Sequence, residues 1–191
     1  MTAARDAEVP VIERIDLQTV DLQSGAAAVV NGAIPVAPFT IAGQEYRTSV
    51  PAPEARLDLV RSVNGWHFRL RADATVVGPC WRCLEDARVD IHADATETSE
   101  DGTSDPDLTS LYLDHGILDV AAWMRDAVVE ELPPAIHCRE DCAGLCPQCG
   151  ANLNTDPCDC EPPPDPRWSG LAELADRLAE QEREAETRGD D

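Results

Sequence analysis

ARLDLVRSVNGWHFRLRADATVVGPCWRCLEDARVDIHADAT, residues 55–96, contains three runs in which apolar and polar residues alternate: 55–63, 66–77 and 87–96. Successive side chains of a strand point to opposite faces, so a period of two sustained over these lengths predicts three half-buried strands. The connections are short and rich in turn residues, which makes the strands an antiparallel meander. The second connection, GPCWRCLED (78–86), carries Cys80 and Cys83 to the tip of a hairpin, where the pair is expected to point outward as a knuckle.

On the N-terminal side, Pro35, Pro38, Gly43, Pro51 and Pro53 break the text into loops around short strands anchored by Ile34, Val36, Phe39 and Ile41. IDLQTVDLQSG (15–25) offers a weak strand pattern, and residues 1–14 read as a disordered N-terminus. On the C-terminal side, SEDGTSDPD (99–107) reads as a solvated loop. In LDVAAWMRDAVVEELPP (118–134), Val120, Trp123, Met124, Ala127 and Val128, with Leu132 beyond them, recur at helical spacing. Asp119 is placed to cap that helix and Pro133-Pro134 to stop it. A second helix is expected from Asp165, as N-cap before Pro166, with Trp168, Leu171, Leu174, Ala175 and Leu178 on one face and a charged, frayed end.

The expected architecture is α+β: an antiparallel sheet, open or barrel-like, with a packed helix over residues 15–137. A cysteine-rich zinc-binding segment (138–164) and a terminal amphipathic helix (165–191) follow it.

The formal charge is −22, and all fifteen basic residues are Arg. Affinity for nucleic acid comes largely from counterion release by clustered cations, so this balance argues against direct RNA binding and favours a basic protein partner. Genome base composition together with solubility would explain the same acidity without any partner. No run approaches the roughly 18 apolar residues of a membrane span, and the N-terminal residues have no apolar stretch of signal-peptide length. A cytoplasmic location is expected, where reduced thiols turn eight cysteines toward metal or redox chemistry before disulfides.

Six of the eight lie in CREDCAGLCPQCGANLNTDPCDC, residues 138–160. A CxxC turn aims two sulfurs at one point, and CPQCG (146–150) has this form, with Gly150 free to take the positive φ such a knuckle uses. The most local tetrahedral set is therefore Cys146, Cys149, Cys158 and Cys160. Cys80, Cys83, Cys138 and Cys142 form a candidate second set, which would fasten the C-terminal segment to the sheet. One zinc drawing on Cys138 or Cys142 together with Cys146 and Cys149 fits the spacing as well.

Catalytic alternatives fare worse. A thioredoxin-type use of Cys80 and Cys83 needs a helix N-terminus to lower a thiol pKa, but LEDARVDI (84–91) alternates like a strand. Zinc deamination would need His-x-Glu upstream of PCWRC, and the nearest histidine gives His67-Phe68-Arg69. Zinc hydrolysis needs an open coordination position, which an all-cysteine set lacks. His67, His92 and His115 read as ordinary residues, and His137, beside Cys138, is the one spare ligand. No nucleophile elbow, P-loop or dinucleotide fingerprint occurs, so neither an enzyme nor a small-molecule substrate is expected.

The order GPCWRCLED, a helix ending in Leu132-Pro133-Pro134, CREDCAGLCPQCGANLN (138–154), CDC (158–160) and DPRW (165–168) resembles the YceD family, most specifically in CAGLCPQCGANLN. The resemblance runs from about Ile15 to Leu178. It implies a non-enzymatic factor, of bacterial or plastid type, affecting synthesis, processing or stability of large-subunit ribosomal RNA. Some members have far fewer C-terminal cysteines, which makes zinc a local staple and Cys80 and Cys83 the family-level site candidates. Joined to the acidic charge, it implies contact with a basic ribosomal protein or a large-subunit assembly intermediate. A cytosolic thiol oxidoreductase using Cys80 and Cys83, or a structural zinc module for an unrelated partner, are the alternatives.

Overall fold

The computed structural model describes residues 9–103, 105–161, 166–168, 170–171, 174–175 and 177–179. The chain forms two compact units, Met1–Gly144 and Leu145–Asp191. In the first, the strands are β1 (Arg14–Asp16), β2 (Ala27–Ala33), β3 (Phe39–Ile41), β4 (Gln44–Thr48), β5 (Glu54–Arg61), β6 (Gly65–Pro79), β7 (Asp86–Glu100), β8 (Leu113–Asp114) and β9 (Ile117–Asp119), followed by the helix α1 (Val120–Glu130).

The expected meander is β5–β6–β7. β6 pairs antiparallel with β7 along its whole length, and on its other side with β5 and then β4. β2 extends the sheet beyond β5, and β3 extends it beyond β4. The sheet is not a closed barrel: β7 pairs with β6 alone among the described strands, and its far edge meets no other.

Alternation sets the two faces. Leu57 and Leu59 of β5, Phe68, Leu70 and Val76 of β6 and Ile91 of β7 point into the core, which α1 closes with Val120, Trp123, Met124 and Val128. Phe68 meets Trp123 edge-on at 6.4 Å, and Tyr112 stacks on the same indole at 6.2 Å. Asp119 caps α1 through its carboxylate, which accepts from the Ala122 N–H at 3.0 Å. The outer face carries ion pairs instead: across strands, Arg69 with Asp94, Arg71 with Asp58 and His92 with Asp73, and within β5, Arg56 with Asp58. The paired carboxylates of Asp58 and Asp94 are held below the usual range, chiefly by hydrogen bonds from these guanidinium groups.

Three expectations change. Order begins before residue 15, because Ala33 donates to Pro10 O and Ile12 donates to Ala33 O, laying this segment beside β2. Of the four anchors between 34 and 41, Ile34 and Val36 are buried, whereas Ile41 at the rim is 39% exposed. Asp165, the expected N-cap of the last helix, lies outside the described residues; Pro166–Trp168 form a 3-10 turn, and Leu171, Leu174 and Leu178 are exposed. Among the described residues, no helix is long and apolar enough to cross a membrane.

Candidate metal centres

The eight sulfurs fall into two groups of four, Cys80, Cys83, Cys138 and Cys142 in the first unit and Cys146, Cys149, Cys158 and Cys160 in the second; within each group all four lie within 4.8 Å of one another. None is joined by a disulfide.

Both CxxC turns are built alike. In the first, the Arg82 N–H points at Cys80 Sγ (3.5 Å), Leu84 donates to Cys80 O and Cys80 donates to Glu85 O. In the second, the Gln148 N–H points at Cys146 Sγ (3.4 Å), Gly150 donates to Cys146 O and Cys146 donates to Ala151 O. The fifth residue of each turn has positive φ, +64° at Leu84 and +76° at Gly150. Glycine adopts this conformation without cost, whereas a leucine there is strained by about 1–2 kcal/mol. The resemblance between CWRCL and CPQCG is thus one of backbone, although the two differ at the residue that makes the turn easy.

In the first group the hairpin tip is capped by residues 136–144. Trp81 donates to Ile136 O (2.8 Å), and Arg82 Nη1 donates to Cys142 O (2.9 Å). Gly144 comes so close to the knuckle that a Cβ there would stand 3.1 Å from Arg82 O, at a φ of +78°. The sequence carried a signal for this approach in the Gly144 position, but only the fold tells what it approaches. Cys80 and Cys83 are consequently buried, at 0% and 4% exposure, and not displayed outward; what the tip displays is Trp81.

The distances suit a metal ion. Zinc–sulfur bonds of about 2.3 Å in a tetrahedron put neighbouring sulfurs about 3.8 Å apart, whereas a disulfide needs about 2.05 Å. Cys80 and Cys142 are 3.8 Å apart, and Cys83 and Cys138 are 3.6 Å apart.

The electrostatics point the same way. Burial opposes ionisation of Cys80 most, yet the N–H groups of Cys138, Cys83 and Arg82 outweigh it and bring this thiol to about 6. The N–H groups of Cys149 and Gln148 lower Cys146 to about 6. Within each group the next thiols are then hard to ionise: burial and its sulfur neighbours push Cys138 to about 12, and hydrogen bonds with Cys149 and Cys158 push Cys160 to about 12. Four thiolates in one place need a cation between them. Either group can hold a divalent ion, and with four sulfurs supplied by the chain neither leaves a coordination position for substrate.

The curated relatives the chain matches are matched in part. An uncharacterized protein of Mycobacterium tuberculosis is 38% identical over 107 residues, 53% of this chain and 51% of its own length. An uncharacterized protein of Mycobacterium leprae is 32% identical over 107 residues, 53% of this chain and 49% of its own. The chloroplastic YCED homolog 1 of Arabidopsis thaliana, described as a large ribosomal RNA subunit accumulation protein, is 33% identical over 66 residues, 34% of this chain and 21% of its own. The chain spans about half the length of the mycobacterial relatives it matches. No solved structure matches it significantly. The family model described as large ribosomal RNA subunit accumulation protein YceD matches residues 68–175, more than half of the chain and all eight cysteines, and the chain belongs to the YceD family.

Proposed function

We propose that this protein is a non-enzymatic ribosome biogenesis factor that affects synthesis, processing or stability of large-subunit ribosomal RNA, and that both cysteine groups hold zinc as structural clasps. The family match over residues 68–175 carries the first part. The sulfur spacing and the closed, all-cysteine donor sets support the second. Contact is made with a basic ribosomal protein or an assembly intermediate in the cytoplasm, since a net charge of −22 repels bare RNA and attracts Arg- and Lys-rich segments.

The burial of Cys80 and Cys83 weighs against the oxidoreductase alternative. So does the strand, not helix, that follows them: a reactive thiol pair needs access and a helix terminus.

Purification of the tagged protein from growing cells at moderate salt, with identification of what accompanies it, tests the partner. Recovery of large-subunit ribosomal proteins or pre-ribosomal particles is expected, and recovery of naked rRNA fragments without ribosomal protein would overturn it. Loss of the factor should lower large-subunit relative to small-subunit rRNA, and an unchanged ratio would remove the biogenesis role.

A further inference from the structure

Among the described residues, the far edge of β7 is an unpaired strand edge, whereas the other long strands, β5 and β6, are paired on both sides. Which of its backbone groups are free follows from the ladder. Arg61 donates to Ala26 O, the residue just before β2, so in the Arg61–Trp66 pair the backbone of Trp66 turns to β7. Asp101 donates to Asn64 O in the same phase. Even-numbered residues of β6 therefore bond to odd-numbered residues of β7, from Trp66–Ser99 to Gly78–Ala87. The N–H and C=O groups of Arg88, Asp90, His92, Asp94, Thr96 and Thr98 face away from β6. Among the described residues, none has a backbone partner on that side.

A groove of about 280 Å³ lies along this edge, between β7 and α1. Glu97 of β7 and Asp126 and Glu130 of α1, with Glu131 after it, line the groove, and no basic side chain does. Asp126 is engaged by Arg125 and the Tyr112 hydroxyl, whereas Glu97, Glu130 and Glu131 form no ion pair with any described residue. A strand laid against β7 would point every second side chain into this groove.

We infer that the β7 edge is a docking strand for an extended, Arg- or Lys-rich protein segment, which adds to the sheet by backbone hydrogen bonds and sets alternate cations against the carboxylates of the groove. Charge chooses this occupant over a second copy of the chain. β7 itself carries Asp86, Asp90, Asp94, Glu97 and Glu100 against the single Arg88, so two such edges repel. The inference rests on the proposed basic partner and assigns it a place; backbone pairing supplies affinity and the alternate pockets supply selectivity.

The test uses the zinc-loaded 191-residue chain and a ten-residue peptide alternating Arg or Lys with Thr. Its control is a peptide of the same charge with proline at every second position, which cannot pair as a strand. Expected are slowed hydrogen exchange at the six edge amides and binding at least tenfold tighter than the control. Thr96→Pro removes an outward N–H and leaves the β6 ladder intact; it should cut binding at least tenfold at unchanged melting temperature. Should that variant unfold, the exposed double reversal Glu130→Arg, Glu131→Arg carries the same expectation. Equal binding of both peptides, protection elsewhere, no binding, or protection of the same amides by single-stranded RNA would each overturn the inference. If basic ribosomal proteins still accompany the tagged protein while the edge amides stay unprotected, only the docking strand fails; if none accompanies it, the functional reading fails first.

Discussion

Replacing Cys142 with Ser, and separately Cys146 with Ser, should divide the metal content and the stability of the chain in two. Each substitution takes one sulfur from a different group of four. With free zinc a thousandfold above its dissociation constant, one ion adds about 4 kcal/mol to the state that binds it. For a unit the size of Met1–Gly144, that corresponds to roughly 12 °C of melting temperature. Cys142→Ser should therefore lose one of two zinc ions and lower the melting of the sheet unit by about that amount. The sheet should stay folded at 25 °C, because Leu57, Leu59, Leu70, Met124 and Val128 form its core without help from sulfur. Cys146→Ser should lose the other ion and leave the melting of the sheet unit unchanged. Among the described residues of the second unit only Cys146 is a buried hydrophobic, so without metal that unit has little to fold around. Metal quantification, scanning calorimetry and hydrogen exchange over residues 136–160 read all three effects. Loss of both ions from either variant, or of neither, would refute the division into two independent sites.

Gly144→Ala should destabilise the first clasp by about 1–2 kcal/mol, since it combines a positive φ with a Cβ crowding Arg82 O, and thermal melting checks it. Asp119→Ala should cost about 1 kcal/mol in urea unfolding, through loss of the α1 cap. The Asp58 carboxylate is held below its ordinary pKa by Arg56 and Arg71, so its contribution is complete above about pH 4 and disappears as pH falls through the folded-state value. Asp58→Asn should accordingly be less stable than the parent chain at pH 6, by about 1 kcal/mol or less for a pair so near the surface, with the gap narrowing as the pH falls below the ordinary carboxylate range in urea titrations run with a chelator. Because Cys80 and Cys146 are brought to about 6, zinc loading at pH 7.5 should release fewer protons than two sets of four ordinary thiols would, measurable by calorimetry in buffers of different ionisation enthalpy.

Local signals read well in the sequence because their physics is local. Alternation at Leu57–Leu59, Phe68–Leu70 and Ile91–Ala93 located β5, β6 and β7, and Asp119 with Pro133 bounded α1. The end of β7 was harder to see: from Thr96 to Glu100 its residues are Thr, Glu and Ser, which continue the ladder with no apolar period to announce it. Closure was beyond reach for a related reason, since whether an edge is paired depends on strands far away in the chain. The same contrast separates the two sulfur groups. CPQCG and CDC lie within fifteen residues, so their convergence can be read from spacing. Cys80 meets Cys142 across 62 residues, and only the β6–β7 hairpin, which carries the tip to residues 136–144, makes them neighbours.

If both groups hold zinc as proposed, this difference in span gives them different roles. Closing a loop of about 60 residues from the unfolded chain costs about 4 kcal/mol of entropy, and a loop of about 14 costs about 3 kcal/mol. The longer closure is also made by contacts that involve no sulfur: β6 and β7 pair to within a residue of Cys80, Ile136 is buried, and Trp81 bonds to its carbonyl. A metal at the first site would thus lock an arrangement those contacts also hold, so that little of its binding energy goes into folding. At the second site the shorter loop has no core among the described residues to hold it, so part of the binding energy goes into folding. A chelator added gradually should therefore empty the Cys146 site first and the Cys80 site last, the reverse of what loop length alone would suggest.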